Sequence, residues 1–375
     1  MKKLLLGTAL TCGLLSNIGL AHGADPTLQD TAPAADEVVT YPYLEGEFIW
    51  ELQNDYTYDS DDPDAELNDT FAYLELAVSL ILNETFQINT AIIAEPVQDP
   101  GPGDDRFFDD HGVFVEVLEV QVNFSEDTNV VAGKIGPGFG TAWDITPGIY
   151  GVDFAEDYEL SEFIGFGLNH TFDGAAFGAV TFGASVFFAD TTFLSDSIIT
   201  RRGQTDITDG GAGNTEDLDN FAISLDGEEL PDLPGFAWHL AYRHLSAGQG
   251  DLFDEEGIAA GFVQEVDLGE ELSATFNFEY ATFNNFGGGA DDVDYVTAGL
   301  TVANGPWHLD VAGTLRDTDV VGGPDIDDAL FQASVGYVDQ NDIDWNVGYL
   351  FTEDGGVDNH TLGIFITKAI EFSTQ

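Results

Sequence analysis

Residues Leu272 to Phe283 read LSATFNFEYATF. Leu272, Ala274, Phe276, Phe278 and Tyr280 fall on one face of an extended chain, and Ser273, Thr275, Asn277 and Glu279 on the other. Strand side chains alternate with a period of two, so this is a strand with apolar surroundings on one side and water on the other. The pattern recurs. Gly178 to Phe188 sets Val180, Phe182, Ala184, Val186 and Phe188 against Thr181, Gly183 and Ser185, and Ile343 to Phe351 puts Asp344, Asn346 and Gly348 on its polar side.

About sixteen such segments are counted, at roughly 43–55, 68–82, 84–95, 112–124, 128–136, 162–172, 176–189, 218–226, 235–245, 256–267, 271–283, 292–304, 305–316, 327–339, 342–352 and 358–370. Most connections after even-numbered segments are tight, among them Asp173-Gly174 and Asn304-Gly305, dipeptides favoured in two-residue hairpin turns. That set is broken once, at Asp226 to Pro234. Connections after odd segments are mostly long and rich in Asp and Gly, as at 56–67, 96–111, 137–161, 190–217 and 246–255. Short turns at one end, long loops at the other and an even count predict an all-β protein, a transmembrane antiparallel β-barrel spanning 43–372. A sandwich gives no reason for that strict alternation, and no fixed period marks a solenoid. Trp238, Trp307 and Trp345 each start an odd segment in the apolar register, which places them in one interfacial girdle at the short-turn end.

The N-terminus fits this placement. Lys2 and Lys3 precede an apolar run from Leu4 to Leu20 and small residues near Gly23, so 1–23 reads as a secretory signal peptide and 24–42 as a flexible leader. The single cysteine, Cys12, belongs to that signal. The chain of 375 residues holds 69 acidic and 9 basic residues, a formal net charge of −60. Such a charge excludes nucleic acid and anionic surfaces as partners. Hydrophobic residues at 43% argue against disorder. Salt adaptation accounts for much of the acidity as readily as any selectivity does.

One stretch breaks the alternation. Gly133 to Leu160, GKIGPGFGTAWDITPGIYGVDFAEDYEL, begins as a strand, meets a Gly/Pro cluster and then carries Phe139, Trp143, Ile149, Tyr150, Phe154 and Tyr158 without strand periodicity. An ordered aromatic loop of this length needs a surface to pack on, and 137–161 is expected to fold inward from the long-loop end. It is the third long loop, and with Gly133-Lys134-Ile135-Gly136-Pro137-Gly138-Phe139-Gly140 at its entry it resembles the constriction loop of the Gram-negative general porins. The resemblance covers the layout of the whole mature chain. It implies an outer-membrane location, passive diffusion of small hydrophilic solutes and ions, and a homotrimer in outer-membrane lipid. It also implies a constriction with acids on the loop opposite basic residues on the wall.

The loop acids are Asp144, Asp153, Glu156, Asp157 and Glu159. The register turns Lys134, Arg243 and Arg316 into the lumen, and these are the candidate wall cations; the competing role for each is an ion pair that only stabilises the fold. So few basic residues cannot build a phosphate-selective ladder, and an acidic lumen favours cations. Acidic loops such as Asp59 to Glu66 are candidates for loose Ca²⁺ or Mg²⁺ binding, although a solvated loop is preferred because the EF-hand spacing is absent. No other cofactor is expected. Two alternatives stand beside the porin, a substrate-specific channel for a siderophore or organic cation and a non-conducting surface barrel. An enzyme is disfavoured: His244-Leu245-Ser246 has the spacing of a lipase pair but no acid partner, and the register turns His244 to the lipid side.

Overall fold

The structure is a computed structural model, and it describes residues 39–174 and 178–375. The signal at 1–23 and most of the leader lie outside these residues. Among the described residues eighteen strands occur in chain order. They are β1 (Tyr43–Ser60), β2 (Asn68–Ile81), β3 (Phe86–Pro96), β4 (Arg106–Phe107), β5 (His111–Ser125), β6 (Thr128–Ile135), β7 (Phe163–Gly174), β8 (Gly178–Ala189), β9 (Ile198–Ile199), β10 (Asn220–Glu228), β11 (Phe236–Leu245), β12 (Glu255–Asp267), β13 (Leu272–Asn284), β14 (Asp292–Asn304), β15 (Trp307–Asp319), β16 (Ile326–Val338), β17 (Asp344–Asp354) and β18 (Val357–Ser373). Sixteen of them form the wall, and β4 and β9 are two-residue additions on loops.

Every wall strand is antiparallel to its neighbours, and the ladder closes because β1 pairs with both β2 and β18, Glu51 lying opposite Tyr73 on one side and Thr367 on the other. Closure leaves no lipid-facing edge, the condition for a sheet to exist in hydrocarbon. In β13, Ala281 and Phe283 are buried while Phe276 and Tyr280 are 39% and 40% exposed, so the alternation read in the sequence is the inside–outside alternation of the wall. At the short-turn end the tilted rings of Trp307 and Tyr337 pack with centres 4.7 Å apart, and Phe236, Phe262 and Phe276 form a ring chain, which makes up an aromatic belt there.

Two departures from regularity position the site. β6 has only eight residues, and its partner β5 runs on beyond it towards the long-loop end. The edge so exposed on β5 is taken by β9, with Gly112 opposite Ile199 and Val113 opposite Ile198. The second is a β-bulge in β5. Ala91 pairs with Val117 but Ile92 with Val115, which leaves Glu116 as the extra residue. A bulge re-aims the side chain it carries.

Candidate functional site

The stretch between β6 and β7 folds into the barrel. Ile135 and Phe163 pair across its neck, so the wall closes beneath it. Inside are one turn of helix (Ala142–Ile145) and one 3-10 turn (Glu156–Tyr158). The aromatic residues that lacked a strand partner in the sequence find the inner wall. Phe139, Tyr158 and Leu160 join Phe283, Tyr295 and the small wall residues Ala222, Ala241, Ala259 and Ala281 in one buried cluster. Ile149, Tyr150 and Phe154 join Leu330, Leu350 and Phe365 in a second. Burying six large side chains contributes on the order of 10 kcal/mol towards holding the loop against the wall.

Polar contacts fix the register of this packing. Glu279 of β13, 1% exposed, accepts from Thr141 N (2.7 Å), Thr141 Oγ1 (2.9 Å), Ala142 N (3.2 Å) and Tyr158 Oη (2.7 Å). Gly140 N–H donates to His239 Nε2, whose Nδ1 lies 2.5 Å from Asp226 Oδ1. Gln332 Nε2 donates to Pro147 O at 2.8 Å. Gly148, at φ +96, lies so close to Gln332 that a Cβ would meet Nε2 at 1.8 Å, so only glycine fits there. The tip reaches β1, where Tyr150 Oη donates to Asp55 Oδ1 at 2.5 Å. Tyr150 passes over Gly363 of β18, where a Cβ would sit 2.0 Å from the phenol oxygen. Gly363→Ala is therefore expected to push Tyr150 off Asp55. The loop tip should then become cleavable by chymotrypsin in detergent while the barrel stays folded, and an unchanged digestion pattern would contradict the contact.

The three wall cations do point inward, as the register required, but none faces the loop across a gap. Lys134 is 1% exposed, with Nζ 2.7 Å from Glu162 Oε2 and 2.9 Å from Asp190 Oδ2. Arg243 is 3% exposed, bonds Glu255 Oε1 and Tyr158 O, and lies between the rings of Phe139 and Phe283 at 4.7 and 4.5 Å. Arg316 joins Asp157 of the loop (2.8 Å) to Asp328 (2.6 Å) and Asp354 (2.5 Å) of the wall, over the ring of Phe154. Arg243 and Arg316 thus tie the loop down directly. Arg201 pairs with Asp196, and Arg202 with Glu162.

The loop acids divide accordingly. Asp157 is held by Arg316 and by Tyr295 Oη at 2.9 Å. Asp153 is turned to the wall near Asp55, and its Oδ1 is buried without a partner. Asp144, Glu156 and Glu159 stay partly exposed on the loop. Asp144 is within electrostatic range of Glu75 on β2, and Glu159 of Glu95 on β3 and Glu116 on β5. Burial raises the Glu159 carboxyl to about 7, helped by the charges of Asp144 and Glu162. Burial raises Asp153 as well, and Asp157 despite its arginine.

Sequence reasoning missed the wall acids, although Glu75 and Glu95 sit at period-two positions of their strands. Glu116 and Glu119 were legible in principle: two carboxylates three residues apart on one strand share a face only if a residue is inserted. Among the described residues no group of three or more His, Cys, Asp or Glu is arranged to hold a metal ion. In the Asp59 to Glu66 loop, Asp62 caps a short turn by accepting from Asp64 N. His244 packs against Phe221 at 5.4 Å between ring centres, and Ser246 Oγ donates to Asp219 O.

No family model and no curated protein matches the sequence. Solved structures do match in fold. Pseudomonas putida OprB superimposes with a TM-score of 0.59 at 11% identity, over 88% of this chain and 94% of that one. The outer-membrane channel DcaP of Acinetobacter baumannii gives 0.55 at 10% identity, over 90% and 100%. Pseudomonas aeruginosa OpdK, solved with vanillate, gives 0.53 at 9% identity, over 88% and 99%. The chain has the barrel fold of Gram-negative outer-membrane channels.

Proposed function

We propose that the protein is an outer-membrane porin, a passive channel for small hydrophilic solutes that favours cations. What supports this reading is a loop packed inside a closed sixteen-strand wall, with its Asp144 and Glu159 within electrostatic range of Glu75, Glu95 and Glu116 on that wall. Sixteen-strand barrels are wide enough to conduct water and solutes unless filled, and the loop packs against the wall from β10 round to β18 and β1. On this reading a narrow path runs between the loop and β2, β3 and β5, whose inner faces are themselves largely enclosed. General porins set acids on the loop against bases on the wall; here acids stand on both sides, while the basic residues are engaged in ion pairs. Fixed like charges at a narrowing raise the local concentration of counter-ions and repel co-ions. The homotrimer belongs to the same proposal, and cross-linking in native membranes tests it. A substrate-specific channel is the second reading, favoured by the enclosure of the inner face of β2 and β3, where Tyr73, Glu75 and Ile93 are 1–3% exposed.

Stepwise currents in planar bilayers test the channel, and their pH dependence tests the acids. Glu159 is ionised above about pH 7 and neutral below it. Cation preference under a KCl gradient should therefore be stronger at pH 8.5 than at pH 5.5, by about two- to threefold in permeability ratio for one unit charge roughly 7 Å from the path. A ratio independent of pH across that window would remove Glu159 from the account.

A further inference from the structure

The neck of the inward loop hangs on a side chain whose charge can change. His239 of β11, 7% exposed, pairs across the ladder with Asp226 of β10 and Gly261 of β12. Gly140 N–H donates to its Nε2 at 3.0 Å, and its Nδ1 lies 2.5 Å from Asp226 Oδ1. A backbone N–H can only donate. Nε2 therefore carries no proton in this arrangement, and the neutral ring donates from Nδ1 to the carboxylate. Ser224 Oγ holds the other oxygen of Asp226 at 3.1 Å. A second proton on the ring would set Nε2–H and Gly140 N–H against each other, two donors with no acceptor between them.

The charged groups around the ring give that new N–H somewhere else to turn. Across Gly261 stands Glu279 of β13, whose Oε2 would lie 3.1 Å from a Cβ at that glycine. Glu279 already accepts from Thr141 N, the next residue of the neck, so the imidazolium would compete with the loop for it. Glu228 of β10 lines a recess of about 30 Å³ beside the ring, together with Thr141 and Asp226. That recess has room for a water to take up the freed Gly140 N–H. Arg243, further along β11, is paired with Glu255, and Asp144 follows on the loop.

We propose that His239 is a proton-operated latch on the neck of the loop, closed on Gly140 while the ring is neutral and released when both nitrogens carry protons. Imidazoles ordinarily change charge between pH 8 and 5, so the loop is tied down in neutral or alkaline medium and loosened at its entry in acid. Ile149, Tyr150 and Phe154 keep the tip seated on the far wall.

Proteinase K digestion in detergent tests this on the wild type, His239→Gln and His239→Ala. Glutamine can hold both partners, Oε1 accepting from Gly140 and Nε2 donating to Asp226, and it takes no proton. Cleavage within 137–161 should be equal for wild type and His239→Gln at pH 8. At pH 5.5 the wild type should be cut about tenfold faster than His239→Gln, the effect of leaving one buried donor without an acceptor. His239→Ala should be cut fast at both. Comparison at one pH cancels the protease's own pH dependence and the titration of Glu159, which the two proteins share. Equal cleavage of wild type and His239→Gln at pH 5.5 would overturn the latch. If the variants fail to fold, the wild type decides, with cleavage in the loop at 246–255 as internal reference: the ratio of the two cuts should rise from pH 8 to pH 5.5, and a constant ratio would overturn the proposal. The digestion needs no conduction, so its outcome is separate from that of the channel reading.

Discussion

Deleting residues 141–158 and joining the ends with a short glycine linker is expected to raise single-channel conductance about twofold or more and to weaken cation preference. The cut is geometrically sound. A Cβ on Gly136 would lie 3.4 Å from Leu160 O, so the two limbs of the loop run side by side at its neck. Ile135 and Phe163 stay paired below, and every wall strand keeps both neighbours. What is lost is the helix turn, the aromatic residues seated on β13 to β18, and four loop acids, Asp144, Asp153, Glu156 and Asp157. What is gained is lumen, because Glu279, Arg243 and Arg316 would then face water. Of the six large side chains seated on the wall the same deletion removes four, Ile149, Tyr150, Phe154 and Tyr158, roughly 6–12 kcal/mol of apolar burial, so the barrel should also melt at lower temperature. Unchanged conductance from a folded deletion variant would mean that the loop does not narrow the path.

A second large effect is expected from one side chain. Glu279 accepts four hydrogen bonds from the loop and is almost wholly enclosed. Glu279→Ala leaves Thr141 N, Ala142 N and the Tyr158 hydroxyl without an acceptor, and hydrogen bonds to a charged group are worth about 1.5–3 kcal/mol each. Their loss is not additive, and about 3–5 kcal/mol of loop anchoring should disappear. The neck would then loosen while the second cluster, around Tyr150 and Phe154, still holds the tip. Open-channel current noise should rise sharply and chymotrypsin should cut near Trp143. Thr141→Ala removes one of the four bonds, and its effect should be a fraction of this. If Glu279→Ala gives a quiet channel and a protected loop, the loop is held by packing alone.

The sequence carried the wall almost completely. Leu272 to Phe283 faces in and out as its alternation required, and the long and short connections lie at opposite ends of the strands. The inward register of Lys134, Arg243 and Arg316 was legible for the same reason: a period of two fixes which face a residue takes. It does not fix what stands opposite. Arg243 ends beneath Tyr158 and Phe139 because the loop chose that half of the barrel, where Ala222, Ala241, Ala259 and Ala281 leave room for rings. That choice depends on side-chain volumes from four strands and has no signature within any one of them. Glu116 eluded the reading because a bulge shifts the parity midway along β5. The seat of Arg202 on Phe114 was not legible either, because it arises from β9 filling an edge that exists only because β6 is short.

The account turns on the sign of charge at the narrowing. The most direct measurement is the zero-current potential of single channels held between tenfold different KCl concentrations at pH 7.5. The account predicts a potential of the sign that marks K⁺ as the more permeant ion, shrinking towards zero when Asp144, Glu156 and Glu159 are together replaced by Asn, Gln and Gln. A potential of the opposite sign, or one that the triple replacement leaves unmoved, would contradict it.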